Sequence, residues 1–213
     1  DAVAGGAIGR PLFVDARVPW YRPPEYYGQS RWRGTLALDG GGALINQAIH
    51  TADLLLWVLG DVVRVQARTA TLLHEIEGED TGAAILEFRS GALGVFSFST
   101  SAYPGYPRRV CISGNGGTIV FEQDSIVSCE VRDPRFAGAP AASGPQPSAH
   151  PPAASSPVVG DARFHQAVVE DFVEAIREGR QPGGAGGEAR RSIELVEAIY
   201  QASRSDQAVA VSR

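Results

Sequence analysis

The chain has 213 residues, of which 44% are hydrophobic and 20% charged, which is typical of one large globular domain with a single core. Its formal net charge of −5 argues against nucleic-acid binding, because phosphate contacts need clustered lysine and arginine, and Arg31-Trp32-Arg33 is the nearest approach to such a cluster. No apolar run approaches the roughly 20 residues that a membrane-spanning helix needs.

Two cysteines, Cys111 and Cys129, are too few for a disulfide framework or a zinc cluster. Each lies in an apolar stretch, and we expect both to be buried free thiols. Because the chain begins at Asp1 and contains no methionine, we expect its gene to begin further upstream, where any targeting segment would lie. The expected location is the cytoplasm.

The first predicted element is a strand over Leu12–Pro19, where apolar and polar residues roughly alternate. It leads into the aromatic segment Trp20–Tyr27, with the sequence WYRPPEYY. The prolines of this region exclude, in our interpretation, both a helix and a central strand. We therefore expect an ordered loop, whose aromatic side chains either face a ligand or close the core.

The clearest predicted element is a helix over Ala43–Leu59. Its apolar residues recur at helical spacing: Leu44, Ile45, Ala48, Ile49, Ala52, Leu55, Leu56 and Leu59. Gly60 is placed to end this helix, and Gly40–Gly42 precede it. The glycine-rich turn is either an anion-binding helix start or a tight turn from a strand into the helix.

From Val62 to Val131 the hydrophobic period changes to two, which predicts a series of strands. Short turns, including the hairpin signal Asn115-Gly116, join them and favour an antiparallel meander. The predicted strands are Val62–Leu73, Gly82–Arg89, Leu93–Ser101, Arg108–Ser113, Gly117–Phe121 and Ile126–Val131. Between the first two lie five polar residues that we interpret as a solvated hairpin tip and not as a metal site: His74, Glu75, Glu77, Glu79 and Asp80.

Residues 133–160 are rich in proline, alanine, serine and glycine, and they predict a flexible loop because too little apolar surface is available for burial. Helical spacing resumes over Phe164–Ile176 and Glu188–Ser203, and Ala208–Val211 is a candidate last strand. The pattern Gly184-x-Gly186-x-x-Ala189 matches a dinucleotide-binding fingerprint, but it follows a loop instead of a strand, so we interpret it as a chance match.

Three polar residues of the Ala43–Leu59 helix are candidates for chemistry. Asn46 and His50 are four residues apart and share one face of the helix, and Asp53 can join that face. An imidazole can exchange a proton in catalysis, and an amide one turn earlier can bind a substrate hydroxyl. The residues alone leave a second interpretation open, in which His50 is a core histidine satisfied by a backbone carbonyl or by Asp53. Zinc binding is not expected, since asparagine is a weak ligand and no second histidine or cysteine is near.

The stretch GGGALINQAIHTADLLLWVLG, which begins at Gly40, resembles the family of glucose–fructose oxidoreductase, inositol dehydrogenase and the rhizopine-catabolism dehydrogenases (Gfo/Idh/MocA). Its glycine-rich turn, Asn46, His50 and Asp53 stand in the order of the family's motif. Further similarities cover nearly the whole chain apart from the proline- and alanine-rich segment: Ile8–Pro11, Trp20–Tyr27, Trp32–Gly34, Asp171–Pro182 and Glu188–Tyr200.

The resemblance implies a two-domain enzyme in which an N-terminal Rossmann domain, absent from this chain, binds NAD or NADP. Residues 1–213 would then form the substrate-binding and oligomerisation domain. The implied fold class is α+β, an open and mainly antiparallel sheet with helices packed on one face, like the C-terminal domain of glyceraldehyde-3-phosphate dehydrogenase. Family members often pair through the uncovered sheet face, which implies a homodimer or tetramer.

The resemblance also implies a reaction and a site. The family transfers hydride between a sugar or polyol carbon and nicotinamide, and His50 takes the place of its general acid/base. Asn46 stands where many members have aspartate, and because an amide cannot relay a proton, its implied role is to bind and orient substrate. That departure leans toward the relatives that use asparagine at this position, which include some nucleotide-sugar dehydrogenases. Further substrate contacts are expected from Asp53, Tyr21, Arg22 and Trp32, with Arg22 able to pair with a carboxylate or phosphate.

Two further expectations concern activity. Since the family's lysine and glycine fingerprint belong to the absent domain, this chain should hold no cofactor-binding residues and should be inactive alone. Two other functions stay open: a non-catalytic ligand-binding or oligomerisation module of the same fold, and a redox-neutral glycosidase that uses bound NAD transiently.

Overall fold

The computed structural model describes residues 3, 5–136, 163–184 and 186–211. The strands are β1 (Pro11–Pro19), β2 (Val62–Ala70), β3 (Thr81–Phe88), β4 (Leu93–Ser99), β5 (Arg109–Gly114), β6 (Gly117–Glu122), β7 (Ser125–Val131) and β8 (Val209–Ala210). The helices are α1 (Pro24–Gly28), a π-helical turn (Leu44–Ala48) that runs directly into α2 (Ile49–Leu59), α3 (Arg163–Glu178) and α4 (Gly186–Ser205). Of the predicted flexible loop at 133–160, the part from residue 137 onward lies outside the described residues.

The strands form one sheet in the order β7-β6-β5-β1-β4-β3-β2-β8. Neighbouring strands are antiparallel except for β1 and β4, which run parallel with Phe13 opposite Leu93. The expected meander is therefore wrong in one place, because β4 and β5 follow each other in sequence but are separated by β1. Alternation in a sequence reports which side chains share a face, and it does not report which strands are neighbours.

The predicted fold class is confirmed, since α2 and α4 pack together on one face of the sheet. The core between these layers contains Val14, Leu86 and Phe96 from the sheet and Leu55 and Ile199 from the helices, all of them fully buried. The opposite face of the sheet is uncovered within the described residues, where β1 shows the alternation of a strand with one buried face.

One turn and one helix end confirm local predictions. Asn115-Gly116 joins β5 to β6 as a tight hairpin with Ser113 opposite Thr118. Gly60 has a positive φ of 82° and its amide donates to the Leu56 carbonyl, which ends α2.

The prediction that prolines exclude a helix from the aromatic segment is wrong. α1 begins at Pro24, directly after Pro23 in an extended conformation. The reason is that proline is excluded from a helix interior but fits its first position, where the missing N–H has no partner in any case.

The other predicted elements appear with shifted ends. β2 stops at Ala70 instead of Leu73, and the last strand is short. Both cysteines are unpaired, but they are half-buried on β5 and β7 instead of fully buried. No described helix combines the length and the apolarity that a membrane crossing requires.

Candidate active site

The glycine-rich turn binds an anion, and that anion belongs to the chain itself. The backbone amides of Gly42 and Leu44 donate to the Glu79 carboxylate, at 3.2 and 2.6 Å. The amide of Ala43 donates to the Glu79 carbonyl at 2.8 Å. A Cβ atom on Gly42 would overlap the Glu79 backbone, so the close approach requires glycine there. The turn is thus both tight and anion-binding, and Glu79 fills the position that an external phosphate would take.

Glu79 is buried, and its environment acts on its pKa in two directions. Burial raises the pKa of the carboxyl above its ordinary value, and the hydrogen bond from the Leu44 amide offsets part of that rise. The carboxyl group is therefore held at the helix start by directed hydrogen bonds in a poorly solvated place.

Asn46, His50 and Asp53 lie on the less buried side of the helix, so the interpretation of His50 as a core histidine is wrong. His50 is exposed, Asp53 is exposed, and Asn46 is half-buried one turn earlier. The opposite side of the helix carries the buried residues Leu44, Gln47, Ala48, Thr51, Ala52, Leu55, Leu56 and Leu59.

His50 and Asp53 line a groove of about 450 Å³ between α2 and the first turns of α4. Trp57 and Glu188 contribute to its walls. The buried Ser192 hydroxyl donates to Asp53 Oδ1 at 2.6 Å, which orients that carboxylate. None of the hydrogen bonds found among the described residues involves the His50 imidazole, so both ring nitrogens are available to a ligand in the groove.

The aromatic segment forms a second feature, which we call the arginine–aromatic stack: Trp20, Arg22, Tyr26, Arg33 and Trp32. The Arg22 guanidinium lies 5.3 Å from the Trp20 ring and 5.5 Å from the Tyr26 ring. The Arg33 guanidinium lies 4.4 Å from the Tyr26 ring and 5.1 Å from the Trp32 ring. These distances are those of cation–π contacts, so guanidinium groups and rings alternate through the stack.

The three side chains in and near the stack that were predicted to contact substrate differ in their exposure. Arg22 is only 4% exposed, and burial lowers the pKa of its guanidinium. Trp32 is 45% exposed at the end of the stack. Tyr21 is half-buried and meets the Tyr103 ring edge-on at 5.2 Å.

The stack and the helix meet at one hydrogen bond that the sequence did not indicate. Gln47 Nε2 donates to Tyr26 Oη at 3.3 Å, and Gln47 is buried. The predicted site residues therefore form two groups, His50 and Asp53 at the groove and Tyr21, Arg22 and Trp32 around the stack, with Asn46 next to the residue that connects them. The sequence feature that could have indicated this contact is Gln47, a second amide side chain that lies next to Asn46 on the buried side of the helix.

The interpretation of residues 74–80 as a solvated hairpin tip is wrong for His74, Glu79 and Asp80, all of which are buried. The Asp80 carboxylate accepts the backbone amides of Leu72, Leu73 and His74 at 2.8 to 2.9 Å. Both carboxylates come directly before β3, a strand that alternates buried and exposed residues, and this position was the signal that they belong to the interior.

His74 connects Asp80 to the stack. Its Nδ1 lies 3.2 Å from Asp80 Oδ2, and its Nε2 donates to the Arg22 carbonyl at 2.9 Å. Burial by itself would raise the pKa of Asp80, but hydrogen bonds led by the His74 amide prevail and lower the pKa to about 2. Asp80 therefore stays ionised inside the fold.

Neither of the two glycine patterns in the described residues has the form of a dinucleotide site. The helix start after the Gly40–Gly42 turn is filled by Glu79. The Gly184-x-Gly186-x-x-Ala189 pattern begins after the helix α3 and continues into the first turn of α4, so the element before it is not a strand, which agrees with a chance match. Nor do His, Cys, Asp and Glu side chains in this part gather into a group of three that could hold a metal ion.

An open sheet with helices on one face, and a glycine-rich turn that leads into a helix with an exposed histidine, are features of a class of proteins, the C-terminal domains of oxidoreductases. Residues 1–120, more than half of the chain, match the family model described as the GFO/IDH/MocA C-terminal domain. The chain belongs to this family.

Individual relatives agree with this assignment. The myo-inositol 2-dehydrogenase of Thermotoga maritima is 33% identical over 126 residues, which are 56% of this chain and 35% of that protein. A D-apiose dehydrogenase of Rhizobium rhizogenes is 28% identical over 210 residues, 96% of this chain and 57% of that protein.

A solved structure is similar over the full length of the chain. It is the WlbA dehydrogenase of Bordetella pertussis in complex with NADH and UDP-GlcNAcA, with 31% identity and a TM-score of 0.82. The match covers 100% of this chain and 58% of that one. The chain thus spans about a third to three fifths of the length of these relatives.

Proposed function

We propose that the chain is the substrate-side domain of an NAD(P)-dependent dehydrogenase, which oxidises or reduces a carbon of a sugar, nucleotide sugar or polyol. The observation that carries this proposal is His50, an exposed histidine in a groove of about 450 Å³ on the helix of the family motif. The relatives named above, sugar and polyol dehydrogenases, support the reaction class.

The chain's own residues handle the substrate hydroxyl and its proton. In the oxidation direction His50 accepts the proton of the reacting hydroxyl, and in the reverse direction it returns that proton. Asn46 binds and orients a hydroxyl, because an amide donates and accepts hydrogen bonds but cannot relay a proton. Asp53, oriented by Ser192, accepts a hydrogen bond from a second hydroxyl. The nicotinamide, when bound, supplies the hydride acceptor or donor.

We propose that NAD or NADP is bound mainly by another part of the protein, and that this chain alone is inactive. Support comes from the two glycine patterns of the described residues, neither of which has the form of a dinucleotide site. The WlbA structure adds support, since that larger protein was solved with NADH. The same protein was solved with UDP-GlcNAcA, which together with Asn46 favours a nucleotide sugar among the substrate classes.

We also propose a homo-oligomer, a dimer or tetramer, formed through the uncovered face of the sheet. Four large apolar side chains, Phe13, Ile85, Leu93 and Val95, are 39–51% exposed on neighbouring strands β1, β4 and β3. Phe13 pairs with Leu93 and Ile85 with Val95, so they form one contiguous patch. A cytoplasmic location is a further proposal, supported by the unpaired Cys111 and Cys129.

The test is the substitution His50→Gln in the whole enzyme, assayed with NAD⁺ or NADP⁺ and a panel of sugars, polyols and nucleotide sugars. Glutamine keeps hydrogen bonding but accepts no proton, so kcat should fall about 10²- to 10⁴-fold while KM changes little. His165→Gln, the same change at another exposed histidine, is the matched control and should leave both constants unchanged.

Three results would contradict parts of this proposal. Full activity of His50→Gln would remove the assigned role of His50 and favour a non-catalytic module. Consumption of a sugar without net NADH formation would favour a redox-neutral enzyme. NADH-dependent turnover by the 213-residue chain alone would disprove nucleotide binding elsewhere.

A further inference from the structure

Glu79 and Asp80 are adjacent in sequence, and each holds a different part of the candidate site. We propose that they are positioning residues, with Glu79 fixing the start of the His50 helix and Asp80 fixing the arginine–aromatic stack. The inference about contacts stands on the structure alone, whereas its consequence for catalysis rests on the proposed function.

The Glu79 arm acts on the helix. Its two carboxylate oxygens accept the amides of Gly42 and Leu44, and its carbonyl accepts the amide of Ala43. These amides lie at the start of the helix, where they have no acceptor inside the helix. Because they are bound to one residue, Glu79 sets where the helix begins, and therefore where Asn46 and His50 stand on it.

The Asp80 arm acts on the backbone of Arg22 from two directions. The Asp80 carboxylate accepts the backbone amide of His74 at 2.9 Å and lies 3.2 Å from His74 Nδ1, and His74 Nε2 donates to the Arg22 carbonyl at 2.9 Å. The Asp80 carbonyl accepts the amide of Thr100 at 2.8 Å, and the Thr100 carbonyl accepts the amide of Arg22 at 2.7 Å. The backbone N–H of Arg22 is thus connected to Asp80 through Thr100, and the backbone carbonyl of Arg22 is connected to Asp80 through His74.

The contacts made by Glu79 and those made by Asp80 are connected to each other in two places. Glu79 and Asp80 share a peptide bond, which keeps their Cα atoms about 3.8 Å apart. At the far side, Gln47 of the helix donates to Tyr26 of the stack. The helix and the stack are therefore connected by one closed circuit of hydrogen bonds, most of them buried, and the loss of a buried bond leaves a polar group without its partner.

Hydrogen exchange of the chain itself tests the positioning without any assay of activity. Glu79→Gln should speed exchange about ten-fold in residues 42–48 and leave residues 20–27 unchanged. Asp80→Asn should speed exchange about ten-fold in residues 20–27 and leave residues 42–48 unchanged. Glu75→Gln, at an exposed carboxylate of the same loop, is the matched control and should change neither region.

Variants at His74 keep the test decisive if Asp80→Asn does not fold. His74→Asn keeps a polar group near Asp80 but is too short to reach the Arg22 carbonyl, so it should also speed exchange in residues 20–27. His74→Gln, whose amide can take the place of Nε2, should restore slow exchange there. Exchange that rises uniformly along the chain, or in neither region, would overturn the two-arm proposal.

Kinetics of the whole enzyme then test the link to function. Asp80→Asn and His74→Asn should raise the substrate KM about ten-fold with little change in kcat, since the stack is expected to bind substrate. Glu79→Gln should lower kcat about ten-fold with little change in KM. If hydrogen exchange changes selectively in these variants but kcat and KM do not, the positioning roles of Glu79 and Asp80 are supported. The assignment of the substrate site in the proposed function is then contradicted.

Discussion

At the scale of residues, two neighbouring carboxyl groups show that environment decides the behaviour of an ionisable side chain. Glu79 and Asp80 are both buried. Burial prevails at Glu79 and raises its pKa, whereas at Asp80 hydrogen bonds to backbone amides prevail over burial and lower the pKa. The ionised Asp80 is therefore stabilised by folding, and the ionised Glu79 is disfavoured by it.

For Asp80 we predict a loss of stability in acid. The pKa of Asp80 falls from 3.8 to about 2 on folding. The contribution of ionised Asp80 to the free energy of unfolding is therefore complete above pH 3.8 and is lost as the pH falls toward 2. The lost free energy of unfolding is about 2 kcal/mol. Urea unfolding of wild type and Asp80→Asn across this range checks it, and the variant should show a flatter profile. Parallel profiles would contradict the lowered pKa.

For Glu79 we predict the opposite pH dependence, in which the stability of the fold decreases as the pH rises. Its pKa is raised above 4.5 on folding, so the folded state binds the proton more tightly than the unfolded state, and stability declines as the pH rises from 4.5 through the raised value. Glu79→Gln removes this titration. The free energy of unfolding of the variant should therefore increase relative to that of the wild type as the pH rises from 4.5 through the raised pKa. A relative stability that falls over that range would refute the assignment.

At the scale of elements, the start of the His50 helix depends on a contact between two backbones. Gly42 lies against Glu79, and Gly78 lies against Gly41 and Gly42, with no room for a side chain at either contact. The π-helical turn Leu44–Ala48 follows directly and leads into α2. The glycine-rich turn is therefore needed for packing as much as for its own conformation.

We predict that Gly42→Ala destabilises the fold by at least about 2 kcal/mol, because the added Cβ overlaps backbone atoms that cannot yield easily. Gly187→Ala is the matched control, since Gly187 lies in the first turn of α4 with open space around it. The control should gain about 0.5–1 kcal/mol from helix propensity. Urea unfolding measures both, and equal effects would show that the contact at Gly42 is unimportant.

At the scale of the whole molecule, one face of the sheet is covered by helices and the other carries the apolar patch Phe13, Ile85, Leu93 and Val95. An apolar patch that spans three neighbouring strands is costly to leave in water, and a second copy of the same sheet offers a matching surface. This is the physical basis of the proposed homo-oligomer.

We predict that Val95→Glu converts the oligomer to a monomer, because a carboxylate in the patch would be buried without a partner and lies beside Asp15, which is opposite Val95. Sedimentation velocity of the whole protein measures the change. Leu38→Glu, at a 71% exposed leucine outside the sheet, should leave the oligomer intact. Unchanged sedimentation of Val95→Glu would place the subunit contact elsewhere.

The sequence by itself determined the features that depend on neighbours along the chain. The Asn115-Gly116 hairpin, the end of α2 at Gly60 and the helix after Gly42 follow from turn chemistry and hydrophobic period, which act over a few residues. The family was also readable from the spacing of Asn46, His50 and Asp53 behind the glycine-rich turn.

Only the tertiary structure decided the features that join distant segments. β1 lies between β4 and β5, and hydrogen-bond pairing across a sheet leaves no trace in the alternation of a single strand. His74, Glu79 and Asp80 look like a solvated loop in sequence, because polar residues between strands are usually exposed. Their distant partners include amides and carbonyls of residues 22, 42–44 and 100. Backbone groups are the same whatever the side chain, so no residue type could indicate these distant contacts before the chain had folded.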